Sequence, residues 1–161
     1  MKDTLRAGAA MIAAFLLYTL LGHLGPTFLL AFNAFTLIVL HYSVRRGELF
    51  GAVLGTACGL LQDSFSYGVF GVAGLTKTLL GFAAGFISRK LNVVPFFRNF
   101  VFSFLLAAAE MALWIFFYSL IFGDRIVTRG ALIFFQPLTT AVLGSGFFSL
   151  MRKLKGSRGE T

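Results

Sequence analysis

Residues Gly51–Leu91 read GAVLGTACGLLQDSFSYGVFGVAGLTKTLLGFAAGFISRKL, and this stretch decides the fold. It is apolar on both sides of a short polar bend at Gln62–Gly68, which predicts a helical hairpin. Glycine recurs at helical spacing along both arms: Gly51, Gly55 and Gly59 before the bend, Gly81 and Gly85 after it. In lipid there is little hydrophobic drive between helices, so tight association depends on backbones approaching closely, which a residue without a side chain permits. The hairpin is therefore expected to be a packing centre. The question it raises is whether it holds a ligand, a reaction, or only other helices.

The rest of the chain places that hairpin in a membrane. Of 161 residues, 58% are hydrophobic and 12% charged, against about 25% charged in an average soluble domain. The mean hydropathy is +0.87. Such a length suits one transmembrane domain spanning residues 1–161. The net charge of +8 must then be read by position rather than as a nucleic-acid footprint. A single cysteine, Cys58, forbids an internal disulfide and makes redox chemistry a poor fit. The first apolar stretch is long and lacks a small-x-small cleavage site, so no secretory signal is expected. The apolar runs are continuous rather than alternating, which excludes a closed β-barrel.

Six segments stand out, at Ala7–Gly22, Phe28–Ser43, Leu49–Gln62, Val69–Ile87, Phe100–Phe122 and Ala131–Leu150. The expectation is an all-α integral membrane bundle of six transmembrane helices. The third segment reaches only about 21 Å at 1.5 Å per residue, short of a hydrocarbon core of about 30 Å, unless it extends toward Glu48 and Phe65. Charge argues that it crosses. Lys2 and Arg6, Arg45 and Arg46, Arg89, Lys90 and Arg98, and the tail residues Arg152, Lys153, Lys155 and Arg158 all fall on one side if it does. Of the 14 basic residues, that leaves Arg125 and Arg129 on the other side and Lys77 within a span. The asymmetry predicts both termini in the cytoplasm. Gly25-Pro26 ends the first helix, the Ser88–Asn99 connection is basic and aromatic, and the short basic tail suits anionic lipid headgroups. No internal repeat of the kind found in many secondary transporters is visible.

Two ionisable residues lie well inside spans: Lys77 in the fourth and Glu110 in the fifth. A central lysine costs roughly 2.5–3.5 kcal/mol on insertion scales, so such groups normally face the interior and pair. Counted from the outer ends, Lys77 is about 12 Å deep and Glu110 about 18 Å, a difference that a lysine stem bridges. A Lys77–Glu110 ion pair is one reading. Another has Lys77 reaching outward and Glu110 protonated or bonded to Ser103 or a tyrosine. A third is a ligand or proton-relay role. Asp63 sits in the bend, where aspartate bonds nearby backbone N–H groups; a partner contact or a bridge to Lys77 is the other option.

Gly68, Gly71 and Gly74 follow Asp63 without the lysine and serine of a phosphate-binding loop, so helix packing explains them better than an anion cradle. Pro137, after Gln136 in the last span, predicts a kink. Asn33 and His41 lie in the second span, and a lone histidine there is more often a hydrogen-bonder than a ligand. His23, His41 and Cys58 lie at separate depths and make no metal set; no HExxH motif or nucleophile–base pair is present. No catalytic residue, cofactor site or metal site is expected. Phe147-Phe148 beside Gly144 and Gly146 offer a knob-and-notch surface for another helix.

Within the opening stretch, Gly55, Gly59-Leu60-Leu61, Asp63, Gly68, Gly71, Leu75 and the basic end at Arg89-Lys90 carry a resemblance to the rod-shape-determining membrane protein family MreD. The small size, six spans and basic tail also resemble that family. The resemblance implies a fold similar to the substrate-binding subunits of energy-coupling-factor transporters. It implies a non-enzymatic protein of the bacterial cytoplasmic membrane, working in the cell-elongation machinery. Its partners would be a bitopic MreC-like protein, the peptidoglycan glycosyltransferase and transpeptidase, and, directly or indirectly, the MreB cytoskeleton, with membrane lipids around it and no nucleic acid. It carries over no catalytic residue. Gly55, Gly59, Asp63, Gly68 and Gly71 transfer only as structural or partner-contact positions, and Lys77 has no counterpart in the pattern.

The leading expectation is thus a membrane scaffold that controls cell shape and lateral peptidoglycan synthesis through helix–helix contacts, with Gly51, Gly55, Gly59, Gly68, Gly71, Gly81 and Gly85 as packing or partner surfaces. The alternative is a solute-binding or transport subunit, with Asn33, Asp63, Lys77, Glu110 and Gln136 converging on a pocket that opens outward. A captured solute needs a lid, and the Gly123–Gly130 and His23–Thr27 connections are short.

Overall fold

In the computed structural model, residues 2–24, 33–65, 70–90, 96–122 and 136–146 are described. Helices α1 (Lys2–Leu24), α2 (Ala34–Arg46), α3 (Glu48–Phe65), α4 (Val72–Lys90) and α5 (Phe96–Phe122) follow in chain order. A sixth helix, α6, covers residues 136–146. The fold is all-helical, with no strand among the described residues.

Among the described residues, length and composition single out one helix as able to cross a membrane: Asn99–Ile121 of α5, with mean hydropathy 2.1. The apolar part of α1, Thr4–Leu20, is shorter. Helices α3 and α4 give many of their positions to glycine and threonine, which lowers their hydropathy while letting their backbones meet.

That meeting is the centre of the molecule. Buried positions on α3 recur every three or four residues at Gly51, Leu54, Gly55, Cys58 and Gly59, one stripe of a helix. The stripe lies antiparallel to a matching one on α4. Gly51 faces Gly81, Gly55 faces the backbone of Lys77, and Gly59 faces that of Ala73 and Gly74. Gly85 closes the far end against Gly47 and Glu48. At each of Gly51, Gly55, Gly59, Gly81 and Gly85 a β-carbon would collide with backbone of the opposite helix. The hydroxyl oxygens of Thr56 and Thr78 stand 2.7 Å apart across this seam.

Of the two roles expected for these glycines, helix packing or partner contact, the seam shows packing: Gly51, Gly55, Gly59, Gly81 and Gly85 are buried inside the hairpin. Gly71 makes no such contact; its φ of 101° is the reason for glycine there. Gly68 lies outside the described residues.

Several boundaries also move. Helix α3 takes the longer of the two expected extents, reaching to Glu48 and Phe65 with 18 residues, and so spans about 27 Å. The one residue added at its N-terminus, Glu48, lies at the positive end of the helix dipole, 2.8 Å from Arg89 of α4. Asn33 is not interior to a helix. It is the N-cap of α2, its side-chain oxygen accepting from the Thr36 N–H at 3.3 Å. Helix α5 starts at Phe96, directly after Pro95, which shortens the connection expected over Ser88–Asn99.

Helix α2 packs on both arms of the hairpin, burying Phe35, Val39 and Leu40 completely or nearly so. Helix α1 covers α2, with Tyr18 against Phe35 and Phe15 against Phe65. Helix α5 lies on α4, and Gly144 of α6 rests against Leu37 of α2. Pro137 lies in the described part of α6. The kink expected there depends on residues 133–135, which lie outside the described residues, as do Phe147 and Phe148.

Candidate functional site

The termini of six helices gather at one end of the bundle: the C-terminal parts of α1, α3 and α5 and the N-terminal parts of α2, α4 and α6. Arg45, Arg46, Arg89 and Lys90 lie at the opposite end. Among these termini is a cavity of about 240 Å³.

Asp63 holds one wall of it. The first peptide N–H groups of a helix have no intrahelical acceptor. Gly71 is the residue before α4, and its carbonyl accepts from Leu75 at 2.8 Å, so it occupies the capping position but has no side chain to cap with. Asp63 of α3 supplies the missing carboxylate from across the bend. It accepts from the N–H groups of Gly71 at 2.9 Å, Ala73 at 3.2 Å and Gly74 at 2.9 Å. The residue does bond backbone, but eight to eleven positions ahead, and it fixes the angle between two helices rather than a local turn. Its charge sits on the positive end of the α4 dipole, and no bridge to Lys77 is formed.

Deeper in, Lys77 and Glu110 meet. The Lys77 ammonium donates to Glu110 Oε1, and the two form a salt bridge between α4 and α5. Lys77 is 1% exposed and Glu110 9%, so neither charge is answered by solvent. A third group completes the set. Thr36 Oγ1 of α2 accepts from Lys77 Nζ at 3.0 Å and donates to Glu110 Oε2 at 2.7 Å. The three side chains form a closed ring in which both carboxylate oxygens are bonded. Glu110 is thus not bonded to Ser103, whose hydroxyl donates to Asn99 Oδ1 at 3.3 Å.

The sequence reading missed Thr36. One signal was present: Asn33 and Thr36 are three apart, hence on one face of a helix, so a polar face on α2 was legible even though its target was not.

The remaining lining is mixed. Asn33 Nδ2 donates to Gln62 Oε1 at 3.3 Å, tying α2 to α3 at the cavity's edge. Gln136, Thr76 and Thr140 add polar edges. Val72, Ala107 and Met111 are apolar. Trp114 and Tyr118, stacked at 5.1 Å between ring centroids, line it from α5, and Tyr18 lines it from α1. Asn33, Asp63, Lys77, Glu110 and Gln136, each singled out from the sequence, are all on this one surface.

The described residues contain no cluster of three or more histidine, cysteine or carboxylate groups able to hold a metal. Cys58 is buried in the core, away from the cavity lining, and His41 is buried beside Tyr42. The cavity's carboxylates are both committed, one to three amides and one to a lysine and a threonine. Comparison with family models, curated proteins and solved structures found no match to this chain.

Proposed function

We propose that this chain is a multi-pass protein of the bacterial cytoplasmic membrane, with six spans and both termini cytoplasmic. In this reading it is a non-enzymatic scaffold of the cell-elongation machinery. It would contact an MreC-like bitopic protein and the glycosyltransferase–transpeptidase pair that builds lateral peptidoglycan, with MreB linked directly or indirectly.

The observation that carries this reading is what the resembling residues do. Gly55 and Gly59 let α3 lie on α4, while Asp63 and Gly71 set the start of α4. These positions are spent on building one rigid hairpin rather than on a reaction, as a scaffold requires. Partner contacts then fall to the outward apolar faces, such as Leu5, Ile12 and Leu16 of α1 and Leu105, Phe116 and Leu120 of α5, all at least half exposed. A six-span placement also accounts for the basic residues collecting at the end away from the cavity.

The test is photo-crosslinking in living cells from positions 16 and 105, with position 80 in the buried core as the silent control. Crosslinks to elongation-complex proteins are expected from at least one outer face, together with loss of rod shape on deletion. Products containing none of those proteins, with normal shape after deletion, would overturn the scaffold reading.

A second reading, a solute-binding or transport subunit, is favoured by one observation: the polar groups singled out from the sequence share a cavity. Saturable uptake into vesicles containing the protein would favour transport over scaffolding.

A further inference from the structure

We propose that the outer face of α4, at the end away from the cavity, binds one anionic phospholipid of the bilayer. The headgroup phosphate sits between Arg89 and Lys90, and an acyl chain lies along Phe86, Phe82 and Leu79. This rests on the placement of the chain across a membrane, and it adds a lipid partner and the residues that hold it.

Periodicity draws the face. Leu75, Leu79, Phe82 and Phe86 recur at intervals of four, three and four residues, one stripe of a helix, and each is more than 40% exposed. Lys90 continues the stripe by one turn and ends the helix. The Phe82 and Phe86 rings stack nearly parallel with centroids 6.2 Å apart, and the Lys90 ammonium stands 4.7 Å from the centre of the Phe86 ring. At that distance the ring attracts the ammonium and keeps it over the stripe. At 1.5 Å per residue, Leu79 to Lys90 measures about 16 Å, about half of a hydrocarbon core of about 30 Å. The stripe is as long as one leaflet is deep, with a cation where the headgroup lies.

Charge selects the headgroup. Arg89 Nη1 is 2.8 Å from Glu48 Oε1, yet the Arg89 side chain is 63% exposed. One carboxylate oxygen orients the guanidinium while leaving most of its donors for a phosphate, the anion that its fork matches. Gly47 makes room for this: its φ is 90°, and a β-carbon there would stand 2.6 Å from Arg89 Nη2. A phosphatidylcholine headgroup carries a cation of its own, which Arg89 and Lys90 repel; phosphatidylglycerol brings only a phosphate and hydroxyls. The neighbouring segments keep the sign of this end. Residues 91–95 carry no charge, and the chain after residue 146 carries Arg152, Lys153, Lys155 and Arg158 against Glu160. Helix α1 begins here with Lys2, Asp3 and Arg6, and α2 ends here with Arg45 and Arg46.

The full-length protein is placed in detergent micelles doped with equal amounts of phosphatidylglycerol and phosphatidylcholine of identical chains. Native mass spectrometry then counts the lipids that stay bound. Wild type is expected to retain phosphatidylglycerol over phosphatidylcholine by about fivefold or more, the worth of one basic residue beside an anionic headgroup. Lys90→Gln is expected to remove most of that preference. Arg45→Gln, which removes a cation at the same end but outside the stripe, is expected to keep it. Both variants should melt at the wild-type temperature, since both side chains are exposed. Should Lys90→Gln fail to fold, Phe86→Leu keeps the apolar surface, removes the ring beneath the ammonium, and is expected to lower the preference about twofold.

The outcomes separate the site from the placement it rests on. Equal loss of preference in Lys90→Gln and Arg45→Gln would show attraction by overall charge and overturn the site. So would a preference untouched by Lys90→Gln. Equal retention of both lipids, or of neither, by a protein that stays in the membrane fraction would also overturn it and leave the membrane placement intact. A protein recovered in solution without detergent would overturn both.

Discussion

Helix α4 shows two faces that solve burial in opposite ways. Toward α3 it presents glycine and bare backbone, and the two helices close until no β-carbon fits between them. Toward α2 and α5 it presents Lys77, whose charged end is met by Glu110 and Thr36. One residue takes part in both, because the backbone of Lys77 faces Gly55 while its side chain points to Glu110. The first face is specified by the absence of volume, the second by hydrogen-bond partners. The seam should therefore tolerate no added atoms, whereas the polar cluster should tolerate replacement when all of its charges leave together.

The strongest way to break this comparison is at the seam. Gly55→Leu would put a branched side chain where the Lys77 carbonyl lies, and no rotamer relieves a clash that begins at the β-carbon. Overpacking in ordinary cores costs about 1–3 kcal/mol. Because the obstacle here is backbone, the expected cost is at or above the top of that range, read as loss of monodisperse protein. A variant with wild-type yield and melting temperature would show that the helices are not held at this distance.

Next comes the ion pair. Lys77→Met alone strands a buried carboxylate and should cost about 3–5 kcal/mol, whereas Lys77→Met combined with Glu110→Leu should recover most of it. Thermal melts of both singles and the double give the coupling directly. A double variant as unstable as the sum of the singles would mean that the two side chains do not act as a pair.

The smallest effect is expected at Asp63. Asn keeps one acceptor oxygen but loses the charge at the α4 terminus, so Asp63→Asn should cost about 1–2 kcal/mol. Hydrogen exchange should quicken at Ala73 and Gly74 and stay unchanged at Gly81, on the same helix but in the seam. Faster exchange along the whole of α4 would show that cap and seam are one cooperative unit rather than two devices.

Much of the seam was legible in advance. Small residues every four positions along two adjacent apolar segments leave few ways to pack other than on each other, because a connection as short as Gln62–Gly68 holds them antiparallel. Packing and partner contact both stood open for them, since spacing tells that a glycine stripe meets a backbone and not whose backbone it is. The depth argument brought Lys77 and Glu110 into reach of one another, because rise per residue is fixed in a helix. Thr36 was not found, because a threonine in an apolar run bonds its own helix as readily as a neighbour, and only the crossing of α2 over α4 and α5 decides between them. Asp63 was placed at the bend, but the three N–H groups it accepts from belong to a helix that begins on the far side of that bend.

The sequence by itself determined the helical segments, the hairpin with its bare faces, and the presence of two charges that had to be answered. Those follow from local chemistry: hydropathy, the missing side chain of glycine, and the cost of burying an ion. Only the tertiary structure decided that Asn33, Asp63, Lys77, Glu110 and Gln136 share one cavity, and that Thr36 and Trp114 belong with them. The reason is geometric. Each of these residues lies on a different helix or a different turn, and which faces meet is set by how six helices rotate and cross, a quantity that no single segment encodes.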